Sequence, residues 1–124
     1  MELLKAKQVQ KAWGEEIWLV NNEKYCGKRL ILKKGKRCSL HYHKEKDETF
    51  YIHDGRVLME AGGKTIIMNK GDAIRLKPMT THRFSGIRDS VIIEVSTHHD
   101  DEDSYRTEEQ IINDIPQEIM EKYS

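Results

Sequence analysis

The sequence predicts an all-β protein, a sandwich or barrel of short strands that ends in a short helical tail. Three observations carry that prediction. Short stretches alternate apolar and polar residues, as half-buried strands do. Turn residues punctuate them roughly every eight to twelve positions. There is no alternation of strands with helices and no repeat of solenoid length.

Residues 1–12 are polar and weakly patterned, and no element is assigned to them. W-G-E-E-I-W-L-V (Trp13 to Val20) reads as a strand entry with aromatic anchors, followed by the turn N-N-E-K. From Tyr25 to Lys34 the pattern alternates, so Lys28, Leu30 and Leu32 share one face and Arg29, Ile31 and Lys33 the other. Lys28 beside two leucines is either a snorkelling stem or a cation held inside a pocket. R-V-L-M-E-A and K-T-I-I-M-N form a hairpin across Gly62-Gly63, and N-K-G-D is a further turn. A-I-R-L-K leads to Pro78, and T-H-R-F sets His82 and Phe84 on one face with Arg83 opposite. In S-V-I-I-E-V-S-T, Ile92, Glu94 and Ser96 share a face. The tail spaces Ile111, Ile115 and Ile119 four apart, with Thr107 as N-cap. Pro116 interrupts it, so two short helices or one kinked helix are expected there. One domain over residues 1–124 follows, with a barrel core at about 13–97 and a tail at 98–124.

Composition excludes several classes. Lys plus Arg and Asp plus Glu number 21 each, a net charge of zero, so no field draws the chain to nucleic acid. No apolar run approaches the ~20 residues of a membrane helix, and the N-terminus lacks an apolar signal core, so a cytoplasmic protein is expected. Cys26 and Cys38 fit no zinc spacing and read as free thiols.

The chemistry concentrates between Gly35 and Gly55, G-K-R-C-S-L-H-Y-H-K-E-K-D-E-T-F-Y-I-H-D-G. In an extended strand His41 and His43 face the same way, a ready pair of metal ligands. The charged run K-E-K-D suits a tight hairpin that returns Glu48 on the neighbouring strand as a carboxylate ligand. His82 is the candidate fourth ligand, leaving open positions for water or substrate. Cys38 points away from the metal face by the same alternation. His53 lies opposite Glu48 and is left out, Phe50 and Tyr51 read as packing residues, and His98 and His99 fall in a loop before D-D-E-D.

This spacing resembles the first cupin motif at every fixed position, and Gly71, Pro78 and His82 resemble the second. Thr80 departs from a common glycine, and no Asn follows His82. The resemblance implies a double-stranded β-helix, or jelly-roll barrel, that holds a divalent ion (Mn, Fe, Ni or Zn) on His41, His43, Glu48 and His82. It also implies a homodimer. The segment from Ile93 to Arg106, with an acidic cluster and an arginine, is similar to type II mannose-6-phosphate isomerases. The Trp13 entry is similar to D-lyxose isomerases and to modules of sialic acid synthase-like enzymes. These likenesses imply a sugar or sugar phosphate as ligand and aldose–ketose isomerisation as the reaction. Glu94 is then the candidate base, and Lys28 or Arg75 the cation for a phosphate or developing oxyanion; an ion pair of Glu94 with Lys28, Arg75 or a surface cation is the alternative. Two other functions stay open, a non-catalytic sugar-sensing module and an Fe(II) dioxygenase.

Overall fold

In the computed structural model, which describes all of residues 1–124, two antiparallel sheets enclose one apolar core. The strands are β1 (Lys7–Lys11), β2 (Gly14–Asn21), β3 (Cys26–Leu32), β4 (His41–Tyr42), β5 (Glu48–Asp54), β6 (Arg56–Ala61), β7 (Lys64–Asn69), β8 (Ala73–Leu76), β9 (His82–Gly86), β10 (Ser90–Ser96) and β11 (Tyr105–Arg106). One helix, α1 (Gln117–Tyr123), ends the chain. The six-stranded sheet runs β1-β2-β3-β10-β5-β8 and the five-stranded sheet β11-β4-β9-β6-β7. No helix is long and apolar enough to cross a membrane.

Alternation decides which side chains meet between the sheets. Leu30, Leu32, Phe50, Ile52, Val57, Met59, Phe84 and Ile92 are buried together, each contributing roughly 1.5–3 kcal/mol by leaving water. Trp13 meets Phe84 edge-on at 5.0 Å between centroids. At one end of this core the inward positions turn polar, and Lys28, His43, Lys46, Glu48, His82 and Glu94 are all buried there. The hairpin across Gly62 and Gly63 forms as expected, with φ of 57° and 78° at the two glycines. Gly55 is required for a different reason: at φ 100° a Cβ would lie 2.6 Å from the Asp89 carbonyl oxygen.

Three expectations are corrected. Residues 7–11, assigned no element, form β1 against β2 because backbone pairing needs no apolar pattern at a sheet edge. K-E-K-D is not a hairpin turn: β4 and β5 lie in different sheets, so the run carries the chain from one sheet to the other. Thr107 is no N-cap, and the tail is helical only over Gln117–Tyr123. Residues 107–115 run along the barrel instead, with Arg37 N–H bonded to Asn113 O at 2.8 Å and Ile115 N–H to Gly35 O at 2.9 Å. These tertiary bonds satisfy the backbone groups that a helix would have used.

Candidate metal centre

His41 and His82 are register partners across β4 and β9, which brings their rings to 4.5 Å between centroids. His43 follows one residue past β4, and a ligating atom from each of the three imidazoles lies within 4.8 Å of the others. The backbone orients all three. Nδ1 of His41 bonds Ser39 O at 2.7 Å, that of His43 bonds Asp103 O at 2.7 Å, and that of His82 bonds Thr80 O at 2.9 Å. A carbonyl only accepts, so each Nδ1 donates its proton there and each Nε2 is the ring atom turned to the shared centre. Burial, then the neighbouring His82, pushes the His41 imidazole down to about 4, and burial lowers His43 as well. Both rings are neutral, as ligation demands, near pH 7.

Glu48 joins this centre from the other sheet. Its Oε1 lies 3.0 Å from His82 Nε2 and its Oε2 3.6 Å from His43 Nε2. Neither carboxylate oxygen has a hydrogen-bond partner, nor does His82 Nε2, although all are buried. A buried carboxylate oxygen and imidazole nitrogen 3.0 Å apart must share a proton or a cation, and a metal ion held by all three rings meets that need. The donor set of three imidazole nitrogens and a carboxylate therefore fits a divalent ion such as Mn, Fe, Ni or Zn.

Lys46 is what the sequence reading missed. Read only as part of a charged hairpin turn, it is 3% exposed. Its ammonium lies 2.7 Å from Glu94 Oε2, 3.2 Å from Glu48 Oε2 and 2.9 Å from His99 Nδ1. Burial alone would lower its pKa, but the two carboxylates outweigh that and raise it. Asp103 holds the loop in place: its carboxylate accepts the backbone N–H groups of Lys44, Glu45 and Lys46 at 2.8, 3.1 and 3.1 Å. Charge patterning could not reveal this, because a lysine in a charged run normally faces water.

The other expected site residues separate. Lys28 is 1% exposed, with its ammonium 4.3 Å from the Trp18 ring centre and 3.5 Å from Glu16. It stands opposite Glu94 in the β3–β10 register, but Glu94 pairs with Lys46. Arg75 is corrected: it sits on the outer face, paired with Asp47 at 2.7 Å. His99 is corrected too, since it lines the cavity, bonded to Lys46 and to Asp101, whereas His98 is exposed. Tyr51 is exposed rather than packed, while Phe50 is in the core. Cys38 is buried in the core and lines the cavity wall, where its sulfur accepts the Phe84 N–H; burial pushes its thiol up to about 12.

His41, His43, Glu48, Lys46, Glu94 and Lys28 all face one cavity of about 300 Å³. That is the low end of the range for small-molecule sites. Two antiparallel sheets with a three-histidine cluster at one end of their shared core define a β-barrel with a candidate metal centre. The chain belongs to the cupin family: the Cupin_2 cupin domain matches residues 28–96. It is 31% identical over 120 residues to a D-lyxose/D-mannose isomerase of Thermosediminibacter oceani, an alignment covering 74% of this chain and 66% of the isomerase. An uncharacterized protein of Methanocaldococcus jannaschii is 35% identical over 57 residues, 46% of each chain. The chain thus spans less than two thirds of the length of these two relatives. Among solved structures, KdgF from Halomonas sp. has a TM-score of 0.71 at 18% identity, covering 80% of this chain and 90% of its own. Streptomyces PAC13 with uridine has a TM-score of 0.75 at 12% identity, covering 96% and 98%. Both likenesses concern the fold.

Proposed function

We propose that this cupin binds a divalent metal on His41, His43, Glu48 and His82 and uses it to bind and isomerise an aldose or its phosphate. The observation that carries the proposal is the state of Glu94. Its Oε2 takes both available bonds, from Lys46 at 2.7 Å and from Ser96 Oγ at 3.0 Å. Oε1 is left without a partner on a buried residue that lines the same cavity as the histidines. A carboxylate anchored through one oxygen and free at the other is poised to take a proton from a bound ligand. The resemblance to D-lyxose/D-mannose isomerase supports a sugar as that ligand.

When bound, the metal would polarise the carbonyl and adjacent hydroxyl of the sugar. Glu94 Oε1 accepts the proton as the C2–H bond breaks, holds it, and returns it to C1. The hydroxyl proton passes from O2 to O1, so the reaction is redox-neutral. Lys46 fixes the orientation of Glu94 through its 2.7 Å contact with Oε2. Lys28, a buried ammonium on the same cavity paired with Glu16 at 3.5 Å, is the cation that would stabilise negative charge developing on the sugar oxygen.

Incubating manganese-loaded protein with mannose in deuterated water tests this reading. Deuterium is expected at C2. Glu94→Gln is expected to cut the exchange about 10²–10⁴-fold while bound metal is unchanged. Undiminished exchange in that variant would remove Glu94 as the base. A sugar-induced rise in melting temperature without exchange would leave a sensing or accessory module. Sugar-dependent oxygen consumption would assign a dioxygenase instead. The homodimer is proposed through the face where Leu3, Leu4 and Leu19 are exposed beside edge strand β1. A monomer mass in sedimentation equilibrium would remove it.

A further inference from the structure

The cavity is close to electroneutral before any metal enters. Four cations line it, Lys11, Lys28, Lys46 and Arg106, against four carboxylates. The fixed charges balance, so a divalent ion held at the histidines would add positive charge that no side chain of the cavity compensates. Inside low-dielectric walls such an excess attracts an anionic occupant.

The excess has an address. Lys46 is neutralised by Glu48 and Glu94, and Lys28 faces Glu16. Arg106 has no such partner, forming neither an ion pair nor a side-chain hydrogen bond within the chain. Its side chain is exposed, but its backbone is held in place. In the β11–β4 pair it is the register partner of His41, while Tyr105 stacks on Tyr42 at 5.3 Å. Opposed residues of an antiparallel pair project to the same face, so Arg106 shares the cavity face with His41. The next residue is tied down as well, with Thr107 N–H bonded to Leu40 O at 3.1 Å.

The geometry points to Arg106 as the specificity-determining residue for a sugar carrying an anionic group, a phosphate or a carboxylate, whose hydroxyl end reaches the metal. This rests on the sugar reading above. A guanidinium presents a planar fork that pairs with two oxygens of either anion, and here no internal carboxylate competes for it. Lys11 adds positive charge at the same cavity and is exposed as Arg106 is, but an ammonium is a point charge without the planar two-oxygen fork of a guanidinium.

Isothermal titration of manganese-loaded protein with mannose, mannose 6-phosphate and mannuronate tests the inference. At least one of the two anionic sugars is expected to bind about tenfold or more tightly than mannose. Which of the two is favoured identifies phosphate or carboxylate as the recognised group. Arg106→Gln is expected to bring that ligand down to the affinity of mannose, with manganese content and melting temperature unchanged. Arg106→Lys is expected to restore part of the preference, and Lys11→Gln to leave most of it. Equal affinity for all three sugars would overturn the inference while leaving the sugar reading standing. So would a preference that survives Arg106→Gln or is lost equally in Lys11→Gln. Binding of none of the three would defeat the sugar reading, and the assignment of Arg106 with it.

Discussion

Lys46→Met is expected to destabilise the metal-free protein by about 3–5 kcal/mol, because it leaves two buried carboxylates without their shared cation. For a chain of this size that is a fall of roughly 10–20 °C in melting temperature, measurable by differential scanning calorimetry. Glu48 and Glu94 are 2% and 4% exposed, so water cannot replace the ammonium. Two further measurements separate this cause from simple loss of packing. A divalent ion should return part of the lost stability, since it neutralises Glu48 directly. In a Glu94→Gln background the same Lys46→Met change should cost less, because one of the two stranded charges is gone. A variant melting within about 2 °C of the parent would show that the bridge contributes nothing to stability.

The second large effect is expected from His43→Ala. It removes one of three convergent nitrogens together with the Nδ1 bond to Asp103 O. Metal affinity should fall about 100-fold or more, seen as loss of bound manganese after desalting and loss of the metal-dependent gain in melting temperature. Full metal content in His43→Ala would rule that residue out as a ligand. Acid should mimic the variant. The His41 imidazole is lowered from 6.5 to about 4 in the folded protein, so between these values the unfolded chain takes up a proton that the folded chain refuses. Stability therefore falls as pH drops from about 6.5 towards 4. Glu48, held low by His82 and Lys46 against the effect of burial, adds a further loss at still lower pH. A metal-free melting temperature that is flat across that window would contradict the neutral, desolvated state of His41.

The local pattern was enough for the strands that pack on the core. Leu30, Leu32 and Ile92 alternate with outward residues in the sequence and are buried in the structure because a pleated strand has a period of two. The same rule placed Lys28 beside the leucines and His82 beside Phe84. The C-terminal segment was misread because isoleucines four apart signal a helix only when nothing else claims the backbone. Here Gly35, Arg37 and Leu40 claim it, from some seventy residues away in the chain.

By itself the sequence determined an all-β architecture, through strand periodicity, and a resemblance to the cupin motifs, which singled out His41, His43, Glu48 and His82. Periodicity and motif spacing are local properties. Only the tertiary structure decided the partners. It carried Lys46 across from one sheet to the other and into the interior between Glu48 and Glu94, pinned that loop on Asp103, and paired Arg106 opposite His41. A buried charge is tolerated only where opposite charge or bonded donors meet it, and that depends on strands that are distant in sequence. No pattern within a single strand records which partner will be waiting.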